Sequence, residues 1–267
     1  MDTTGLNRNT IDKYYTKTEL AEYCILKFNT IIKPNSKDSI IEPSAGNGSF
    51  SNYLFNNYKN VVAIDIEPEN DNIIKQDFLK YKSKDNICHV IGNPPFGRQS
   101  SLAKKFIKHS ATFSESISFI LPKSFKKESF KKVFPLEFHL IYEEDLPDNS
   151  FVVKDKLHDV PCVFQIWKKM SINREIEEKE EPTYYSFIKK TENPDLSFRR
   201  VGVYAGQISK EIENKSEQSH YFIKLNEINI DEFINKYNNV ISYDFNNTVG
   251  PKSISKTELI KKLNRLF

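Results

Sequence analysis

The sequence predicts an α/β fold, a mostly parallel sheet with helices on both faces, followed by a smaller C-terminal domain. Three observations carry this. Short apolar runs alternate with helix-length amphipathic segments through residues 1–170, the pattern of repeated β-α-β units. A glycine turn, Gly46-Asn47-Gly48, links one such run to a helix. After Trp167 the alternation stops, and the acidic stretch from Glu175 to Pro182 reads as a connection between domains 1–170 and 171–267.

The elements follow in order. Thr16-Lys17-Thr18-Glu19 reads as a capping box for a helix over Thr18 to Ile32, with Leu20, Cys24 and Phe28 on one face and Pro34 as its stop. Ser39-Ile40-Ile41 is a strand, and a helix runs through Tyr53-Leu54-Phe55. Val61 to Asp65, Asn72 to Lys75 and Ile87 to Gly92 are further strands. A helix over Leu102 to Ala111 precedes the strand Ser116 to Leu121, and Pro161 to Trp167 is a later strand. The C-terminal region is rich in Tyr, Phe, Lys, Asn and Ser and carries a basic-aromatic cluster, Phe198 to Tyr204. No internal repeat is present.

Composition excludes several classes. The 267 residues are 38% hydrophobic and 28% charged, with a mean hydropathy of -0.56, and no run is apolar for long enough to span a bilayer. The N-terminal residues lack a signal-peptide pattern, so a cytoplasmic protein without a membrane partner is expected. Cys24, Cys88 and Cys162 show no Cys-x-x-Cys spacing, which predicts reduced core thiols and no metal site. The net charge is only +3, yet Arg98 to Lys132 is strongly basic. That stretch suits a nucleic-acid partner and equally a set of solvated helix faces.

Glu42-Pro43-Ser44-Ala45-Gly46-Asn47-Gly48 follows a strand and opens a helix. Gly46 and Gly48 let the backbone turn sharply and approach a ligand. A plain strand-helix turn explains the pair as well, but the following strand ends in Asp65, an acid placed to accept from two ribose hydroxyls. Asp77 can accept from an adenine amino group while Phe78 covers the ring. The full G-x-G-x-x-G pattern and the P-loop lysine are both missing, which disfavours nicotinamide and triphosphate ligands. Together Gly46, Gly48, Asp65 and Asp77 predict a nucleoside-containing cofactor.

Asn93-Pro94-Pro95-Phe96 comes directly after a buried strand. Two prolines fix φ and restrict the residue before them, so Asn93 is extended at a strand end. Its side-chain oxygen and the Pro94 carbonyl are two acceptors on one rigid loop, with Phe96 as an apolar face beside them. An exocyclic amine on an aromatic ring is a poor nucleophile because its lone pair is delocalised. Two aimed acceptors bind its hydrogens and favour the pyramidal nitrogen that forms on attack. No serine-histidine relay is legible.

In this motif order the chain resembles the gamma-class N6-adenine DNA methyltransferases, over residues 14 to about 169. Tyr14-Tyr15-Thr16-Lys17 resembles their N-terminal cofactor motif. The resemblance implies that S-adenosylmethionine is the cofactor, held by Tyr15, Thr16, Glu42, Ser44, Gly46, Gly48, Asp65, Ile66, Asp77, Phe78 and Asn93, with Thr16 on the methionine carboxylate. It implies that Asn93, Pro94, Pro95 and Phe96 are catalytic, and that the flipped base stacks between Phe96 and Phe151, with Val152 and His158 as alternatives to Phe151. It also implies a seven-stranded Rossmann-like class I methyltransferase sheet whose last strand is reversed. Double-stranded DNA is then the expected partner, contacted by Arg98, Lys123, Lys126, Lys154, Arg199, Arg200 and Lys252, with Tyr204 and Lys256 as further candidates. RNA adenine is the leading alternative, ahead of a protein glutamine amide or a silent binding subunit. Cytosine N4 presents a similar amine. No nuclease signature is present, so a restriction partner would lie on another chain.

Overall fold

The computed structural model describes residues 14–83, 87–153, 156–175, 178–240 and 251–267. The chain divides into two compact units, Met1–Glu175 and Ile176–Phe267.

In the first unit, β1 (Tyr15–Thr16) leads into α1 (Thr18–Ile32). Then come β2 (Ser39–Glu42), α2 (Ser51–Asn57), β3 (Val61–Asp65), β4 (Ile74–Lys75) and β5 (Cys88–Gly92). They are followed by α3 (Ser101–Ser110), β6 (Ser116–Pro122), the short α4 (Glu128–Lys131) and β7 (Phe138–Asp145). A hairpin of β8 (Phe151–Val153) and β9 (Lys156–His158) precedes β10 (Cys162–Lys169).

Seven of these strands form one sheet in the order β4-β3-β2-β5-β6-β10-β7. Pairings from β4 across to β6 are parallel, and β10 is antiparallel to both β6 and β7. Numbered within the sheet alone, that is about the order 3-2-1-4-5-7-6 with the seventh strand reversed. It is the Rossmann-like class I methyltransferase arrangement that the resemblance implies.

Adjacent strand residues point to opposite faces, and the sheet carries a core on each. Ile41, Val90, Phe119 and Val163 pack with α3 through Ala103, Phe106 and Ile107. Their neighbours Ile40, Ile91, Ile120 and Phe164 pack with α1 and α2 through Leu20, Cys24, Phe28 and Leu54. The stripe on α1, with Cys24 and Phe28 four residues apart, is one helix face. All three cysteines are buried free thiols. Near the end of the unit, Arg174 donates to the Phe138 and Phe134 carbonyls at 3.1 and 2.7 Å and lies over the Trp167 ring.

Three local expectations are corrected. The residue capping α1 is Lys17, without a side-chain bond. Thr16 instead lies in β1, where its hydroxyl accepts from Asn93, so the predicted capping box does not form. The strand expected over Asn72 to Lys75 shortens to Ile74–Lys75. The strand β7 and the hairpin were not predicted at all.

The second unit has β11 (Tyr185–Ile188), β12 (Leu196–Arg199), β13 (Ile208–Ser209) and β14 (His220–Leu225), antiparallel in the order β11-β14-β12-β13. Two helices, α5 (Ile230–Val240) and α6 (Lys256–Leu263), complete it. Phe198, Ile223, Phe233 and Leu259 lie in its own core. No helix among the described residues is long and apolar enough to cross a membrane.

Candidate active site

The strand order reverses direction between β2 and β5, and ligands of open α/β sheets bind at the carboxyl ends of strands beside such a point. A cavity of about 240 Å3 lies there, lined among others by Glu42, Ser44, Asp65, Phe78 and Asn93 to Phe96. It therefore brings together residues from the ends of β2, β3 and β5 with Tyr14 and the two residues of β1.

Gly46 is at φ +53 and Gly48 at φ +94, conformations that glycine adopts without strain. A Cβ on Gly46 would meet the Tyr15 ring at 3.0 Å, so that ring closes over the turn. Gly48 is not among the lining residues, and a Cβ there would meet Asn52 at 2.9 Å. It shapes the turn and is not itself part of the cavity wall.

Asp65 holds this turn in place. Its carboxylate accepts from the Gly46 and Glu67 amides, both at 2.8 Å. Each oxygen keeps a further acceptor site, so a diol can still be bound. Asp77 accepts from the Leu79 amide at 3.0 Å, which fixes the turn carrying Phe78. Phe78 is buried against Phe106, ring centroids 5.1 Å apart. Ile66, half exposed, also lines the cavity. Leu102 and Phe106 were missed in the sequence, although their four-residue spacing on α3 marks one helix face, and they line the same cavity as Asn93 to Phe96.

Glu42 is buried to 1% exposure, and its Oε2 has no hydrogen-bond partner. Burial pushes its carboxyl up to about 8, the Asp65 charge adds to this, and the nearby Ser51 hydroxyl and amide pull the other way.

Asn93 is the centre of the site. Its Nδ2 donates to the Tyr14 carbonyl at 3.3 Å and the Thr16 hydroxyl at 3.1 Å. A carbonyl can only accept, so these bonds fix which end of the amide is nitrogen. Oδ1 is left buried and without a partner among the described residues. An unpaired buried acceptor costs about 1–3 kcal/mol and calls for an explanation. The Ser44 hydroxyl donates to the Asn93 carbonyl at 2.9 Å, tying the Asn93–Phe96 loop to the glycine turn. Ser44 and Thr16 are thus both engaged with Asn93, a use that the sequence did not reveal.

Several expected contacts fall elsewhere. Phe151 is 1% exposed within the core and does not line the cavity, so it is not free to stack on a base. Lys123 and Lys126 both pair with Asp145, at 3.0 and 2.9 Å. Arg199 folds back onto the Val201 carbonyl and Ser219, and Arg200 onto the Gln218 carbonyl and the Tyr221 ring. Arg98 and Lys252 are exposed. Lys154 lies outside the described residues.

The structure also builds a relay that was not legible. His89 Nδ1 is 2.8 Å from the Ser116 hydroxyl, and Nε2 is 3.3 Å from Asp38. These residues begin or precede β5, β6 and β2, at the sheet end opposite the cavity. All are buried, and burial lowers the His89 pKa.

No protein-family profile matches the chain. Over 108 residues, 38% of the chain, it is 30% identical to the Type II methyltransferase M.HincII of Haemophilus influenzae, of which the match covers 21%. Over 143 residues, 48% of the chain, it is 29% identical to an rRNA adenine N-6-methyltransferase of Limosilactobacillus reuteri, of which 58% is covered. Among solved structures, the 23S rRNA methyltransferase ErmE aligns with 60% of this chain and 70% of its own, at 14% identity and a TM-score of 0.44. The chain therefore spans about a fifth of the first relative and less than two thirds of the second.

Proposed function

We propose that the chain transfers the methyl group of S-adenosylmethionine to the exocyclic N6 amine of an adenine in DNA, as a gamma-class enzyme. The observation that carries this reading is the orphaned Asn93 Oδ1, a buried acceptor in a cavity wall, oriented by two bonds to its own amide nitrogen.

The residues fit the cofactor. Asp65 takes the ribose diol, Phe78 and Asp77 the adenine ring and its amino group, and buried Glu42 provides an acid for the cationic methionine end. When bound, S-adenosylmethionine supplies an electrophilic methyl group on a sulfonium. The chain's own task is then positioning. Asn93 Oδ1 and the Pro94 carbonyl accept the two amine hydrogens and draw its lone pair out of the ring. No backbone hydrogen bond among the described residues ends on the Pro94 carbonyl. Phe96 offers a face for the base, which must leave the helical stack to reach the cavity.

DNA is favoured by the motif order, Tyr14 to Lys17 ahead of the glycine turn and the catalytic loop, with a separate unit following. Adenine in RNA is the second reading, favoured by the similarity to an rRNA adenine N-6-methyltransferase. Incubation with methyl-labelled cofactor and, separately, duplex DNA, total RNA and a protein extract tests both. Label in DNA is the expected result. Label in RNA alone replaces the first reading by the second, and label in protein alone overturns both.

A further inference from the structure

We propose that Tyr14, and not Phe151, is the second aromatic wall of the target-base pocket, with Phe96 as the first. This inference rests on the functional reading above and adds a base-binding residue to it.

The cavity is lined by six aromatic rings, those of Tyr14, Tyr15, Phe50, Phe78, Phe96 and Phe106. Most are already committed. Phe50 and Phe78 are each 1% exposed in the core, and Phe106 packs against Phe78. Tyr15 lies over Gly46, and its hydroxyl bonds Glu69. Phe96 and Tyr14 remain. Tyr14 is 38% exposed, so its ring has a face to give.

Its placement ties it to the reaction centre. The Tyr14 carbonyl accepts from Asn93 Nδ2, so the residue sits one hydrogen bond from the catalytic amide. Its ring makes a T-shaped contact with His158, centroids 5.9 Å apart and planes at 89°. His158 belongs to β9, which pairs with β8, which pairs in turn with β1. A three-stranded sheet thus anchors the segment next to the ring, and a T-shaped contact covers at most one of its faces. Phe151 belongs to the same support. It pairs with Thr16 across the β1–β8 ladder while its ring is buried. Its part is to hold β1, the strand that Tyr14 leads into.

Stacking on an aromatic ring depends on its face and tolerates loss of the hydroxyl. The test compares wild type, Tyr14→Phe, Tyr14→Ala and Phe151→Ala on the nucleic acid that wild type labels. Cofactor affinity is measured in parallel by calorimetry with S-adenosylhomocysteine. Tyr14→Ala is expected to raise KM for the nucleic acid about tenfold, with cofactor Kd changed by less than about threefold and Tyr14→Phe close to wild type. Phe151→Ala is expected to lower Tm. Unchanged KM in Tyr14→Ala overturns the inference, as does a loss of cofactor affinity as large as the rise in KM. A wild type that labels no nucleic acid overturns the functional reading and this inference together. A labelling wild type with an unaffected Tyr14→Ala overturns this inference alone.

Discussion

Two buried polar clusters at opposite ends of the same strands differ in how far their hydrogen bonds are met. At the amino ends of β2 and β5, Asp38, His89 and Ser116 satisfy one another within 3.3 Å. At the carboxyl ends, Glu42 Oε2 and Asn93 Oδ1 are buried and unpaired beside a cavity. A serine, histidine and aspartate in line look like a catalytic relay, but all three are buried and none of them lines the cavity. The unmet acceptors at the carboxyl ends face a cavity, where a ligand can complete them. Access to that cavity, and not residue type, separates the two clusters.

This contrast can be broken by substitution. Asn93→Ala is expected to lower methyl transfer by roughly 10²–10³-fold, the cost of losing one aimed polar group at a reacting atom. Calorimetry should find cofactor still bound, and near-normal turnover would remove Asn93 from the mechanism. His89→Ala should do the reverse. Leaving Asp38 and Ser116 buried without their partner costs about 1–3 kcal/mol in denaturant unfolding, while turnover per folded molecule stays the same.

The two ends should also differ in their response to pH. The depressed His89 pKa means that its contribution to stability is present above about pH 6.5, its unfolded value, and is lost as pH falls through the folded value. The Glu42 carboxyl is raised from 4.5 to about 8, so its contribution is present below about pH 4.5 and is lost as pH rises through 8. Glu42→Gln should therefore flatten the alkaline side of a Tm-against-pH curve and leave the acid side alone. An unchanged alkaline side would show that Glu42 is ionised at little cost. The smallest effect is expected for Asp65→Ala, which loses the Gly46 and Glu67 amide bonds. Cofactor binding should weaken about tenfold, and unchanged affinity would displace Asp65 from the ribose site.

Much of what brings the carboxyl-end cavity together was legible in the sequence because local chemistry specifies it. Two prolines after a buried strand hold Asn93 extended whatever the rest of the chain does, and β2, β3, β5 and β6 announce themselves as apolar runs between turn residues. The remainder depends on contacts distant in sequence. Thr16 reads as a helix cap until Asn93, 77 residues away, takes its hydroxyl. Lys123 and Lys126 read as free cations until β7 brings Asp145 beside them. That strand is itself obscure, since Phe138–Asp145 is only partly buried and ends in acids. Phe151 and Tyr14 are both aromatic, and nothing in their spacing says which is sealed in the core.

The central claim is that the carboxyl-end cavity uses Asn93 Oδ1 to hold an exocyclic amine for methylation. The most direct measurement is nucleoside analysis by mass spectrometry after incubation of nucleic acid with wild-type protein and S-adenosylmethionine. The expected product is N6-methyladenine. A methyl group on a ring carbon, a ring nitrogen or a ribose hydroxyl would contradict it, because none of those positions presents the two amine hydrogens that Asn93 Oδ1 and the Pro94 carbonyl are placed to accept.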